Sequence, residues 1–146
     1  MQSNGSENLS LLGNTETIYP KTPSEAKLEV IPNLFLDNDY VVKLDCHEFT
    51  CLCPKTGQPD FANMEIIYIP NKHLIESKAL KLYLFAYRNE GIFHEFVTNK
   101  IASDLQEQLA AKLLIVKGKF MPRGGIAINP VVVLGDKELA KNFNLL

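Results

Sequence analysis

A run that alternates up to Cys53, 40–53, and a second, apolar-rich run, 61–69, flank the segment Pro54-Lys55-Thr56-Gly57-Gln58-Pro59, and this pairing constrains the fold more than any other stretch. A period of two puts successive side chains on opposite faces, so the first run reads as a strand with two distinct faces, and the second reads as its partner strand. The prolines and glycine between them turn the chain back into a hairpin. In the first strand His47, Phe49, Cys51 and Cys53 are expected on one side, and Glu48, Thr50 and Leu52 on the other.

A sheet with an apolar face needs a cover, and the next two segments have helical spacing. The first starts near Ser77, carries Leu80, Leu84 and Tyr87 on one stripe, and stops around Asn89-Glu90-Gly91. The second runs from about Phe93 to Ala111, with Val97, Ile101, Leu105 and Leu109 recurring every fourth residue. Residues 113–120 and 126–134 then read as two more strands, linked by Met121-Pro122-Arg123-Gly124-Gly125, and 137–143 as a short closing helix. The order ββααββ implies an α+β fold: an antiparallel four-stranded sheet with two helices on one face. Its outer edges are unpaired in a single chain, and exposed edges invite association.

Residues 1–10 are polar, with too little apolar mass to offset the entropy of ordering, so a disordered tail is expected there and a single domain over 11–146. Between Leu11 and Asn33, prolines 20, 23 and 32 suggest an extended arm lying on the domain or on a neighbour. With 15 basic against 17 acidic residues, the net charge of -2 argues against binding duplex DNA or an anionic membrane. No apolar run approaches the roughly 20 residues of a membrane span, and the start lacks a signal-peptide pattern, so a cytoplasmic location is expected. The three cysteines do not make a disulfide framework and point to a reactive thiol or a metal ligand.

Cys53 closes the first strand, and the turn after it can bring Asp60 back towards the sulfur, so a nucleophile and a proton donor can share one site. Cys53 is equally readable as a small buried hydrophobe and Asp60 as a turn residue. The run Phe49-Thr50-Cys51-Leu52-Cys53-Pro54-Lys55-Thr56-Gly57-Gln58-Pro59-Asp60-Phe61 is followed by Glu76-Ser77-Lys78-Ala79-Leu80-Lys81-Leu82-Tyr83 and Phe93-His94-Glu95. Together with Leu84–Asn89 and Arg123-Gly124-Gly125, these motifs resemble, in order, the NADPH-dependent 7-cyano-7-deazaguanine reductases of the queuosine pathway of tRNA modification. The resemblance spans roughly residues 11 to 134. It implies the tunnelling fold, in which such sheets join edge to edge into an oligomeric barrel, a decamer of two pentameric rings, with substrate bound between subunits.

The resemblance implies nitrile reduction to 7-aminomethyl-7-deazaguanine with two NADPH through a cysteine thioimidate. Cys53 matches the nucleophile and Asp60 the acid that supplies protons to the substrate nitrogen. Glu95 matches the residue that anchors the guanine-like edge, since one carboxylate can accept from N1–H and the 2-amino group together. His94 matches its substrate-contacting neighbour, and Ile75, Glu76 and Ser77 the segment bordering the base. Lys78 and Lys81 match the cofactor signature, with Arg123 as a further candidate for the cofactor phosphates; no Gly-x-Gly-x-x-Gly fingerprint is present. No metal ligand is implied. Two rivals are weighed against this reading. One is a zinc-dependent GTP cyclohydrolase-like enzyme, for which Cys46, His47, Cys51 and Cys53 are the conceivable ligands. The other is a purine-binding oligomer without turnover.

Overall fold

The computed structural model describes residues 5–13 and 16–146. In chain order its elements are strands β1 (Val30–Pro32), β2 (Val42–Leu52), β3 (Pro59–Ile69) and β4 (His73–Ile75), helices α1 (Ser77–Phe85) and α2 (His94–Leu109), strands β5 (Leu113–Phe120) and β6 (Val131–Gly135), and helix α3 (Lys137–Asn142). β2, β3, β5 and β6 form one antiparallel four-stranded sheet in that spatial order, the kind of sheet expected from the order ββααββ. β1 and β4 pair separately, with Val30 opposite Ile75. These two strands were not expected. At three residues each they are too short for a period to be visible, and they show the end of the proline-interrupted arm to lie on its own domain.

Alternate residues of β3 and β5 face the helices. Met64, Ile66, Tyr68, Leu114 and Val116 pack there with Leu80, Tyr83 and Tyr87, and with the α2 stripe Val97, Ile101, Leu105 and Leu109, all of it buried. Each fully buried aliphatic side chain contributes about 1.5–3 kcal/mol, so this layer dominates the stability of the domain. The interposed residues Ile67, Ile69, Leu113 and Ile115 face the other way and are covered by Ala140 and Leu145. The two longer helices therefore share one face of the sheet, and α3 seals part of the opposite face.

Three local boundaries differ from those read in the sequence. First, β2 shifts register between Cys46 and Phe49, where Glu48 takes φ 65°. One extra residue in the strand inverts its phase, so Cys46 packs inwards as Phe49 and Cys51 do, and His47, expected on that side, is exposed. Second, α2 ends at Leu109 because Ala110 adopts the left-handed conformation, φ 43°. Third, the last strand starts at Val131, not near 126. Arg123 and Ile126 close a tight hairpin on each other through two backbone hydrogen bonds of 3.0 Å, and Asn129 takes the Phe120 N–H with its side chain, so the ladder resumes only afterwards. Of the expected tail, residues 1–4 lie outside the described residues. Residues 5–10 have no helix or strand, and the Ser10 N–H donates to the buried Glu29 carboxylate. No helix among the described residues is long and apolar enough to cross a membrane.

Candidate active site

Cys53 lies just past β2, where the strand passes into a closed loop. Its N–H donates to the Gln58 carbonyl at 2.8 Å and its carbonyl accepts from the Gly57 N–H at 2.9 Å. Gly57 takes φ 71°, a conformation that favours glycine. The loop thus wraps around the sulfur. The Thr56 hydroxyl, the Thr56 and Lys55 amides and the Arg123 guanidinium all donate towards it, and against the opposing effect of burial they lower the thiol pKa to about 6. The other two thiols move the opposite way. Burial, with Asp45 nearby, raises Cys46 to about 11; burial, with the charge of Asp60, raises Cys51 to about 12. Near neutral pH only Cys53 is a thiolate, the form that acts as a nucleophile.

Asp60 lies on β3 opposite Cys51 and is 4% exposed. A buried carboxylate is costly unless paired, and this one is paired twice over. Arg123 clamps it with Nε 2.8 Å from Oδ1 and Nη2 3.1 Å from Oδ2. His94 Nε2 lies 3.0 Å from Oδ2, although without the in-line geometry of a hydrogen bond. The imidazole stacks on Phe120 with ring centroids 3.9 Å apart, and its Nδ1 is buried without a protein partner.

The segment before α2 brings His94 and Glu95 here. The Leu52 N–H donates to the Glu90 carbonyl at 2.9 Å and the Ile92 N–H to the Leu52 carbonyl at 3.0 Å, so residues 90–92 run along the edge of β2 beside Cys53. The approach depends on Gly91, where a side chain would begin 3.2 Å from Pro54 Cα. The first turn of α2 then projects His94 and the exposed Glu95 into a cleft of about 50 Å³ that Asp60, Arg123, Pro54 and Phe93 also line.

The sequence-derived residues therefore fall into two groups. Cys53, Asp60, His94, Glu95 and Arg123 converge. Ile75, Glu76, Ser77, Lys78 and Lys81 surround the start of α1 and line no part of that cleft. Glu76 is 5% exposed, and its carboxylate caps α1 by accepting from the Lys78 and Ala79 amides at 2.8 Å each. Ser77 and Lys81 instead open onto a groove of about 590 Å³ between α1 and β2, together with Lys43, Arg88, Tyr19 and Phe85. Its three cations make no ion pair among the described residues, and Arg88 lies 4.2 Å over the Phe85 ring. Unpaired cations beside aromatic rings suit a phosphate-bearing dinucleotide such as NADPH.

Two features escaped the sequence. Thr56 is the leading influence that lowers the Cys53 thiol, a role that a hydroxyl residue three positions after a loop cysteine could have signalled. Arg123, expected at the cofactor phosphates, lies on Asp60. As for zinc, no three His, Cys, Asp or Glu side chains among the described residues gather to hold a metal ion, and the bulge turns His47 away from the cysteines.

The fold is that of the tunnelling-fold class of enzymes. The chain belongs to the family of NADPH-dependent 7-cyano-7-deazaguanine reductases. The family model described as QueF-like protein matches residues 59–139. The reductase of that name from Streptococcus thermophilus strain LMD-9 is 56% identical over 124 residues, covering 85% of this chain and 76% of its own. That from Bacillus licheniformis is 53% identical over 129 residues, 88% and 78% of the two chains, and that from Bacillus subtilis strain 168 is 51% identical over the same shares. Among solved structures, an archaeosine synthase QueF-Like in the apo form superposes with a TM-score of 0.63 at 19% identity, over 68% of this chain and 97% of its own, which speaks to the fold.

Proposed function

We propose that this chain reduces 7-cyano-7-deazaguanine to 7-aminomethyl-7-deazaguanine with two NADPH, in the queuosine branch of tRNA modification. The observation that carries the reading is the convergence of the buried Asp60, clamped by Arg123, with His94 and Glu95 in one cleft that adjoins Cys53 through Pro54.

A nitrile carbon is a poor hydride acceptor until something is added to it. The Cys53 sulfur bonds that carbon while one carbon–nitrogen π pair moves to nitrogen, giving a thioimidate. The nitrogen takes up a proton from solvent, relayed through Asp60 with His94 beside it, and one more proton from solvent accompanies the second hydride; a protonated thioimidate is a far better electrophile. NADPH supplies the two hydrides, with Ser77, Lys78 and Lys81 at its phosphates. The donors that stabilise the Cys53 thiolate at rest also favour its departure when the imine forms. Glu95 accepts from the paired donors of the guanine-like edge, and an analogue lacking them leaves that carboxylate unsatisfied, which makes the site selective.

A second copy of the chain completes this site. A cleft of about 50 Å³ is well below the roughly 300–1,000 Å³ of ordinary ligand pockets. The residues around Glu76 and Lys81 lie apart from it on the same chain, and the outer edges of β2 and β6 have no partner strand in the sheet. Edge-to-edge association into a ring, ultimately two pentameric rings, would bring one protomer's α1 to its neighbour's Cys53. A reducing cytoplasm keeps the thiols available.

Mixing the protein with NADPH and the nitrile tests the activity. The wild type consumes cofactor in a two-to-one ratio to nitrile, and Cys53→Ala consumes none. A folded wild type that leaves NADPH untouched would refute the assignment.

A further inference from the structure

The Met121–Ile126 hairpin belongs to neither the nucleophile's loop nor the helix that carries His94, yet its tip reaches both reacting groups. The Met121 N–H continues the β3–β5 ladder by donating to the Phe61 carbonyl at 2.9 Å. Gly124 and Gly125 then take φ 57° and 78°, the paired left-handed geometry of the tightest hairpins, and Arg123 and Ile126 close it. This fixes Arg123 directly over Asp60. The planar guanidinium engages both carboxylate oxygens, at 2.8 and 3.1 Å, and is the weakest of the influences that lower the Cys53 thiol. A bidentate fork fixes the orientation of a carboxylate in a way that one ammonium cannot.

We propose that Arg123 is a positioning residue for the covalent step, a bridge from the hairpin to Asp60 that fixes this carboxyl while Cys53 bonds the nitrile carbon. The inference rests on the reductase reading and goes beyond it, because it places Arg123 at the carbon–sulfur bond-forming stage, before any cofactor is needed. With the fork removed, Asp60 keeps only its off-line contact with His94, free to turn from the nitrogen it must protonate. Misplacement of a reacting group by about 1 Å can cost about 100-fold in rate.

The test separates thioimidate formation from reduction. Full-length wild type, Arg123→Met and Arg123→Lys are mixed with nitrile without NADPH, and the adduct is followed by intact-protein mass against time and pH. A parallel series reads Cys53 alkylation by iodoacetamide against pH, which needs neither nitrile nor cofactor. Arg123→Met is expected to form adduct about 10–100-fold more slowly, with its pH dependence displaced, and Arg123→Lys to recover part of the rate. The alkylation midpoint rises in Arg123→Met, by less than in Thr56→Val. If Arg123→Met misfolds by circular dichroism, Arg123→Lys carries the comparison, since it keeps the charge and loses the fork; wild-type adduct kinetics there would overturn the proposal. Unchanged adduct formation and alkylation with only the KM for NADPH raised would equally overturn it, making Arg123 a cofactor ligand alone. A wild type that forms no adduct refutes the reductase reading, whereas the alkylation series still judges the bridge: an alkylation profile identical to wild type in both variants would sink it.

Discussion

Cys53 differs from Cys46 and Cys51 both in its neighbours and in how strongly burial acts on it. Hydrogen-bond donors bring its pKa down to about 6, whereas burial takes its two companions to about 11 and 12. Because a depressed pKa favours the deprotonated form above it, alkylation of Cys53 is expected to rise as pH increases through about 6 and then level off, while Cys46 and Cys51 stay unmodified. Thr56→Val removes the leading donor and is expected to move that midpoint upwards, towards an ordinary thiol; peptide mapping of the alkylated protein checks both statements. An alkylation midpoint unmoved by Thr56→Val would show that the hydroxyl does not hold the thiolate. Cys53 and Asp60 could be singled out as candidates because they flank a turn rich in proline and glycine, from the end of β2 to the start of β3. The backbone donors around the sulfur were not, because Lys55 and Thr56 also act through amides that every residue possesses.

At the level of elements, the α2 stripe was readable from spacing alone, since Val97, Ile101, Leu105 and Leu109 are all fully buried. The β2 bulge was not, because an extra residue inverts a period of two without leaving a compositional mark, and Glu48 is no glycine. Capping supplied another role hidden in the sequence. Glu76 was singled out for the substrate, and its carboxylate caps α1 through two 2.8 Å hydrogen bonds. Losing a cap costs about 1 kcal/mol, so Glu76→Ala is expected to lower the thermal midpoint by about 2–4 °C, readable by circular dichroism. An unchanged midpoint would mean that the cap contributes nothing to the folded state and that the residue is free to serve the substrate.

At the level of the whole molecule, topology supports the proposal that two copies share the site. The sheet order puts β2 and β6 at opposite edges, while α1 and the nucleophile's cleft lie apart on the surface. The unpaired edges were foreseeable from the strand count; the division of the motif residues between two cavities was not, since linear order carries no distances. Light scattering is expected to give a mass several times that of one chain, with specific activity falling on dilution as the assembly dissociates. A fully active single chain would contradict a site shared between copies.

All of these scales meet at the sulfur of Cys53. Intact-protein mass spectrometry after mixing with 7-cyano-7-deazaguanine, with NADPH withheld, tests it most directly. The account predicts a gain of one substrate mass per chain, located on Cys53 and absent from Cys53→Ala. A native protein that stays at its own mass, or an adduct that survives in Cys53→Ala, would contradict it.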